Sequence, residues 1–172
     1  MDICVRQERK EDYGAVYKLV KAAFTGMEYS EGNEQDLVVR LRESDGFLPA
    51  LSLVAEEDGN IVGHILFSEI QIGKADSLML APVAVLPAYQ RRGIGGMLIR
   101  EGHRIAKEKG FTSSTLVGHP DYYPRFGYKR ASTWGITLNI PAPDECFMAM
   151  ELVPGALEHV SGMIVLPPAF GL

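Results

Sequence analysis

The sequence predicts a mixed α/β domain, and three observations carry that prediction. The apolar stretch Leu78 to Val85 has the length and composition of a buried strand, and it leads through a glycine-containing loop into a segment of helical apolar spacing. Helix-like and strand-like segments alternate before it, and the chain after it reads mainly as strands. A chain of 172 residues with 47% hydrophobic and 23% charged residues has the balance of one folded domain, so residues 1–172 are expected to form a single core.

The elements follow in order. Asp2 to Gln7 is a short strand. Asp12 caps a helix whose apolar positions Val16, Leu19, Val20 and Ala23 keep one face. A shorter helix covers Glu34 to Arg42, with Leu37, Val38 and Leu41 together. Ala50 to Ala55 and Ile61 to Ile72 form a hairpin around Glu57-Asp58-Gly59-Asn60. After the strand at Leu78 comes Gln90-Arg91-Arg92-Gly93-Ile94-Gly95-Gly96. A helix follows it, with Lys107 and Lys109 in the last turn and Gly110 just beyond. Ser114 to Gly118 is a strand and Asp121 to Phe126 a short helix stopped by Gly127. Further strands fall around Trp134 to Ile140, Phe147 to Val153 and Ser161 to Leu166.

Composition excludes several function classes. The longest apolar run, Leu78 to Tyr89, spans 12 residues and contains Pro82 and Pro87, whereas a membrane span needs about 20. The first residues lack the layout of a signal peptide. Cys4 and Cys146 form no CxxC pair, and the four histidines lack ligand spacing, so a reducing cytoplasm and no metal are expected. A formal net charge of −5 disfavours nucleic acid as a general partner. That charge is partitioned. Residues 90–130 hold nine Lys/Arg and three Asp/Glu, leaving 8 basic and 19 acidic residues elsewhere. The basic segment surrounds the glycine loop, which points to one small polyanion.

The loop supplies the chemistry for an anion. Backbone N–H groups at a helix start, reinforced by the helix dipole, attract phosphate. Gly93 and Gly95 let phosphate oxygens approach the backbone, and Arg91 and Arg92 add charge beside it. A P-loop would require Lys and Ser/Thr after Gly95, and a dinucleotide fingerprint a third glycine at Leu98; neither is present.

What remains, Gln90, Gly93 and Gly95 in the pattern Gln/Arg-x-x-Gly-x-Gly/Ala, resembles the pyrophosphate loop of the GNAT acyl-CoA N-acetyltransferase superfamily. A second stretch, Gly118-His119-Pro120-Asp121-Tyr122-Tyr123-Pro124-Arg125-Phe126-Gly127-Tyr128, is similar to that family's region after its fifth strand, where a tyrosine stands four residues before a Gly-aromatic pair. With Pro154-Gly155-Ala156-Leu157 and Pro167-Pro168-Ala169-Phe170, the wording resembles the YhbS-like branch of predicted acetyltransferases. The resemblance covers essentially the whole chain. It implies a mostly antiparallel twisted sheet of about seven strands flanked by about four helices.

It further implies acetyl-CoA as cosubstrate, an amine acceptor and direct attack in a ternary complex, in a cytoplasmic protein for which a homodimer is an arrangement to test. Val83, Ala84 and Val85 would offer backbone to the pantetheine arm. Gln90, Arg91, Arg92, Gly93, Ile94, Gly95 and Gly96 would hold the pyrophosphate. Tyr123 would be the general acid: a phenol of pKa about 10 is protonated at pH 7 and can donate to a sulfur whose thiol is near 8.5. The glutamate that some members place on the fourth strand corresponds to Met79. For the amine's proton, Glu69 is put first, followed by His64, Glu28 and His119, directly or through water. The alternative readings keep the fold but use a longer acyl donor or an alcohol acceptor, or bind CoA as a sensor without turnover.

Overall fold

A computed structural model describes residues 2–27, 30 and 32–170. Its spine is a sheet of nine strands: β1 (Cys4–Gln7), β2 (Phe47–Glu57), β3 (Asn60–Ile72), β4 (Ala75–Val85), β5 (Ser113–Val117), β6 (Lys129–Arg130), β7 (Ile136–Leu138), β8 (Phe147–Glu151) and β9 (Gly162–Ile164). The main path runs β1-β2-β3-β4-β5-β8-β6, and β9 joins β3 and β7 off that path. Pairing is antiparallel except for β4 with β5 and β7 with β9. Among the described residues there are three α-helices, α1 (Tyr13–Phe24), α2 (Glu34–Arg42) and α3 (Ile94–Glu108). None of them is long and apolar enough to cross a membrane.

The hairpin turn between β2 and β3 is built as expected. Asp58 and Gly59 both take positive φ, 50° and 82°, and Glu57 pairs with Asn60 across the turn. Two such residues match the right-handed twist of the flanking strands. The mixed class and element order hold, whereas the element counts differ. The expected fourth helix is a 3-10 turn, Tyr123–Phe126, closed by Gly127 at φ 106°. The strand expected around Trp134 to Ile140 is β7, and the two-residue β6 adds a pairing with β8 that no local periodicity announces.

Both faces of the sheet are covered. On one, α3 lays Ile94, Leu98, Ile99 and Ala106 against Leu53, Ile65, Phe67 and Leu80. Gly102 brings α3 close: a Cβ there would lie within 2.5 Å of the Phe67 ring. Burying such aliphatic side chains contributes about 1.5–3 kcal/mol each. On the opposite face, α1 and α2 bury Val16, Val20 and Val38 against Val54 and Ala84. A third cluster joins Met79 and Ile70 to Phe147, Leu157 and Ile164 from the C-terminal segment.

A buried polar group lies under α2. Arg42 Nη2 donates to Glu8 Oε2 at 2.6 Å, Ser52 Oγ donates to Glu8 Oε1 at 2.9 Å, and His64 Nε2 stands 3.3 Å from Ser52 Oγ. A buried charge pair needs such additional hydrogen bonds to offset its lost hydration.

Candidate active site

Two features of β4 shape the site. The first is a bulge. Ile65 pairs with Val83 but Phe67 with Leu80, so Ala81 and Pro82 together oppose Leu66. Proline lacks the N–H that a continuous ladder would require, and bulges are where strands accommodate it. The bulge shifts the alternation, placing Leu78, Leu80, Val83 and Val85 all on the α3 side. Ala84 lies on the other face.

The second feature is a fork. β4 and β5 pair only at Met79 and Thr115, where Thr115 Oγ1 also donates to Leu78 O at 2.8 Å. Beyond that point β4 follows β3 to Val85, while β5 follows β8 to Val117. The facing backbone edges of Leu80 to Val85 and Leu116 to Val117 therefore do not pair with each other. Such an edge can bond an amide-bearing ligand as it would another strand.

The fork leads to the start of α3. Its first intrahelical bond here is Met97 N to Gly93 O at 3.1 Å. That leaves the amides of Ile94, Gly95 and Gly96 without helical acceptors. Gly93 sits at the N-cap with φ 81°, and a Cβ added to it would meet nothing within 4 Å. Its glycine is thus required by conformation, and the space over it is open. Arg91 also has positive φ, 65°, and both it and Arg92 are exposed; the Arg92 guanidinium lies 5.2 Å from the Tyr89 ring centre.

Other loop residues serve the protein itself. Gln90 Nε2 donates to Val85 O at 3.1 Å, tying the loop back to the end of β4. A Cβ on Gly95 would come 2.9 Å from Tyr122 Oη, and one on Gly96 would press on Arg100 and Phe126. These two glycines make room for the 3-10 turn and the side chains around it. Loop periodicity does not reveal that, because the turn lies some 27 residues further along the chain.

That turn brings two tyrosines to the site in different ways. Tyr122 holds its hydroxyl over Gly95, with Arg125 4.8 Å from its ring centre. Burial raises its hydroxyl's pKa above the usual phenol value, an effect partly opposed by Arg125 and Arg100. Tyr123 instead lies against Gly118 at the end of β5, where a Cβ would fall within 2.5 Å of its ring. Burial pushes its hydroxyl well above the phenol range, so the proton stays on oxygen at neutral pH. The structure therefore gathers Val83, Val85, the loop, the start of α3 and Tyr123 around one end of the fork.

The sequence-derived proton acceptors are placed apart from one another, and His64 lies on β3 directly across from Ala84. Glu69 pairs with Leu78, seven residues before Val85 and about 20 Å away along the strand. It lines a surface cavity of about 370 Å³ with Lys109 and Gly110, at the opposite end of α3 from the glycine loop. His64 is fully buried among Ser52, Glu8 and Arg42, and burial holds its imidazole down to about 4. His119 is exposed, its Nδ1 accepting from Asp121 N at 3.1 Å. Glu28 lies outside the described residues. Met79 is buried at the fork and contacts Thr115 Oγ1 through its sulfur. Among the described residues no cluster of three or more His, Cys, Asp or Glu could hold a metal ion.

Known proteins match this arrangement. The model of the Acetyltransferase (GNAT) family matches residues 13–128. Two relatives from Escherichia coli K12, the uncharacterized N-acetyltransferases YjhQ and YhbS, are 42% and 34% identical over 127 and 134 residues. These matches cover 69% and 76% of this chain and 70% and 79% of those proteins. The crystal structure of E. coli YhbS in complex with CoA superposes with a TM-score of 0.89 at 28% identity, covering 99% of this chain and 92% of that one. A GNAT family acetyltransferase from Brucella melitensis in complex with acetyl-CoA gives a TM-score of 0.81 at 36% identity over 98% of both chains. With its forked sheet, its glycine loop opening α3 and these relatives, the chain belongs to the GNAT family of acetyltransferases.

Proposed function

We propose that the protein is an acetyl-CoA-dependent N-acetyltransferase that moves an acetyl group to a primary amine by direct attack in a ternary complex. The observation that carries this reading is the continuity from the fork between β4 and β5 to the uncapped start of α3, with Tyr123 beside it. The two structural relatives with CoA and acetyl-CoA support the donor.

Acetyl-CoA supplies the activated acyl group as a thioester. The amides of Ile94, Gly95 and Gly96 and the side chains of Arg91 and Arg92 hold its pyrophosphate. The open edge of Val83, Ala84 and Val85 offers backbone to the pantetheine arm, and a β4 amide offers a donor to the thioester oxygen. Holding donor and acceptor together lowers the entropic part of the barrier. The nitrogen–carbon bond forms as the carbon–sulfur bond breaks, and the Tyr123 hydroxyl gives its proton to the departing sulfur.

The attacking nitrogen sheds one proton, and the Tyr123 oxygen regains one from water. Glu69, on β3 opposite Leu78, faces the cavity beside Lys109 and Gly110, and His64, across from Ala84, is enclosed by Glu8, Ser52 and Arg42. Transfer to water is the route this geometry supports. Buried Met79 at the fork, in the position where some family members carry a glutamate, favours one second reading: a CoA-binding sensor without turnover.

Thermal unfolding tests the donor. Millimolar acetyl-CoA should raise the melting temperature by several degrees and NAD should not; no shift with acetyl-CoA would overturn the reading. Free-thiol release against a panel of primary amines and peptides separates enzyme from sensor. Turnover with any of them supports the enzyme, and acetyl-CoA binding without turnover across the panel supports the sensor.

A further inference from the structure

We propose that Tyr128 is a positioning residue for Tyr123, held in place by a hydrogen-bonded chain that ties β5 to α3. The inference rests on Tyr123 acting as the acid. The Tyr128 side chain is 1% exposed, and its hydroxyl lies 2.9 Å from both Ser114 Oγ on β5 and His103 Nε2 on α3. A phenol has one proton to give and can accept another bond, so both neighbours are satisfied at once. The Tyr128 ring is thereby fixed from two elements.

Tyr123 has no such anchor of its own. Its hydroxyl makes no hydrogen bond among the described residues, and its ring is set by edge contacts. The Tyr128 ring lies 6.1 Å away at 83°, and the Tyr122 ring 5.1 Å away at 80°. Gly118 supplies the remaining wall, too close for a side chain. Edge-to-face aromatic pairs have a preferred geometry, so a fixed Tyr128 orients its neighbour. An acid displaced by about 1 Å loses much of its effect, which makes orientation a kinetic quantity. His103 and Ser114 thus act on Tyr123 through Tyr128.

The test places 3-fluorotyrosine at position 123 and reads fluorine NMR in the acetyl-CoA complex of otherwise native protein, Tyr128→Phe and Ser114→Ala. Native protein should give one narrow line, and both variants a shifted or broadened one, with acetyl-CoA affinity within about twofold. An unchanged line in the folded variants would overturn the proposal. If Tyr128→Phe fails to fold, Ser114→Ala alone decides, because it removes one anchor and leaves the ring.

Kinetics supply the second readout, with the amine from the panel that turns over fastest. Tyr128→Phe should lower kcat about tenfold, with little change in KM for acetyl-CoA, and cost nothing further in a Tyr123→Phe background. An independent loss in that background would contradict positioning through Tyr123. Unchanged kcat in Tyr123→Phe alone would instead remove the acid role, while the fluorine result would still report on the contact.

Discussion

The Tyr122 hydroxyl stands over Gly95 so closely that a β-carbon on that residue would lie 2.9 Å from its oxygen. The contact joins two stretches that local sequence reading treats separately, the glycine loop and the tyrosine-bearing turn. It also gives Gly95 a reason beyond ligand access.

Replacing Gly95 by alanine should therefore push Tyr122 away and weaken acetyl-CoA binding about tenfold, as overpacking by one carbon costs about 1–3 kcal/mol. Adding Tyr122→Phe removes the clashing oxygen and should restore part of that affinity. Titration calorimetry on the two single variants and the double variant checks this; equal losses with and without Tyr122→Phe would contradict it.

Gly93 makes a different prediction because nothing crowds it. Gly93→Val must adopt φ near 81°, which costs a β-branched residue about 1–2 kcal/mol or more. Melting temperature should fall, and acetyl-CoA affinity should fall with it, since the new side chain occupies the space over the loop. Unchanged affinity measured by calorimetry would remove Gly93 from the phosphate site.

Acid stability follows from two histidines. Burial depresses His64 and His103 from the usual 6.5 to about 4, with Lys107 adding to the effect on His103. The unfolded chain therefore binds more protons between those values. The stability from keeping each ring neutral is complete above about pH 6.5 and is lost as pH falls towards 4. Near pH 5 the slope should approach about 1.4 kcal/mol per pH unit for each group. Urea unfolding from pH 7 to 4.5 measures it. His103→Gln should flatten the curve, and an unchanged slope would contradict the assignment.

The Glu8–Arg42 pair predicts a stability effect. Arg42→Met leaves the Glu8 carboxylate buried without its partner and should cost about 3–5 kcal/mol. Glu8→Gln together with Arg42→Met should recover part of that loss. Chemical denaturation of the three variants provides the comparison, and additive losses would show that the pair is not coupled.

Legibility in the sequence followed interaction range. The β2–β3 turn, the helical face of α3 and the loop ahead of it depend on neighbours along the chain, so Asp58-Gly59 and Gly93 could be read directly. The reasons for Gly95 and Gly118 could not, because Tyr122 and Tyr123 fold back onto them. Glu69 read as a candidate base because its type is suitable, but strand register with Leu78 decides which end of the sheet it occupies. Gln90 matched a binding motif, yet its side-chain amide holds the end of β4. The pairing of Glu8 with Arg42, 34 residues apart, has no periodic signature at all.

The proposed mechanism turns on Tyr123 protonating the sulfur that leaves acetyl-CoA. Free-thiol release at saturating acetyl-CoA and amine, compared between native protein and Tyr123→Phe, tests it most directly. General acids contribute about 10²–10⁴-fold, so kcat should fall at least about a hundredfold while KM for acetyl-CoA stays nearly constant. A Tyr123→Phe variant that turns over as fast as the native protein would contradict the account.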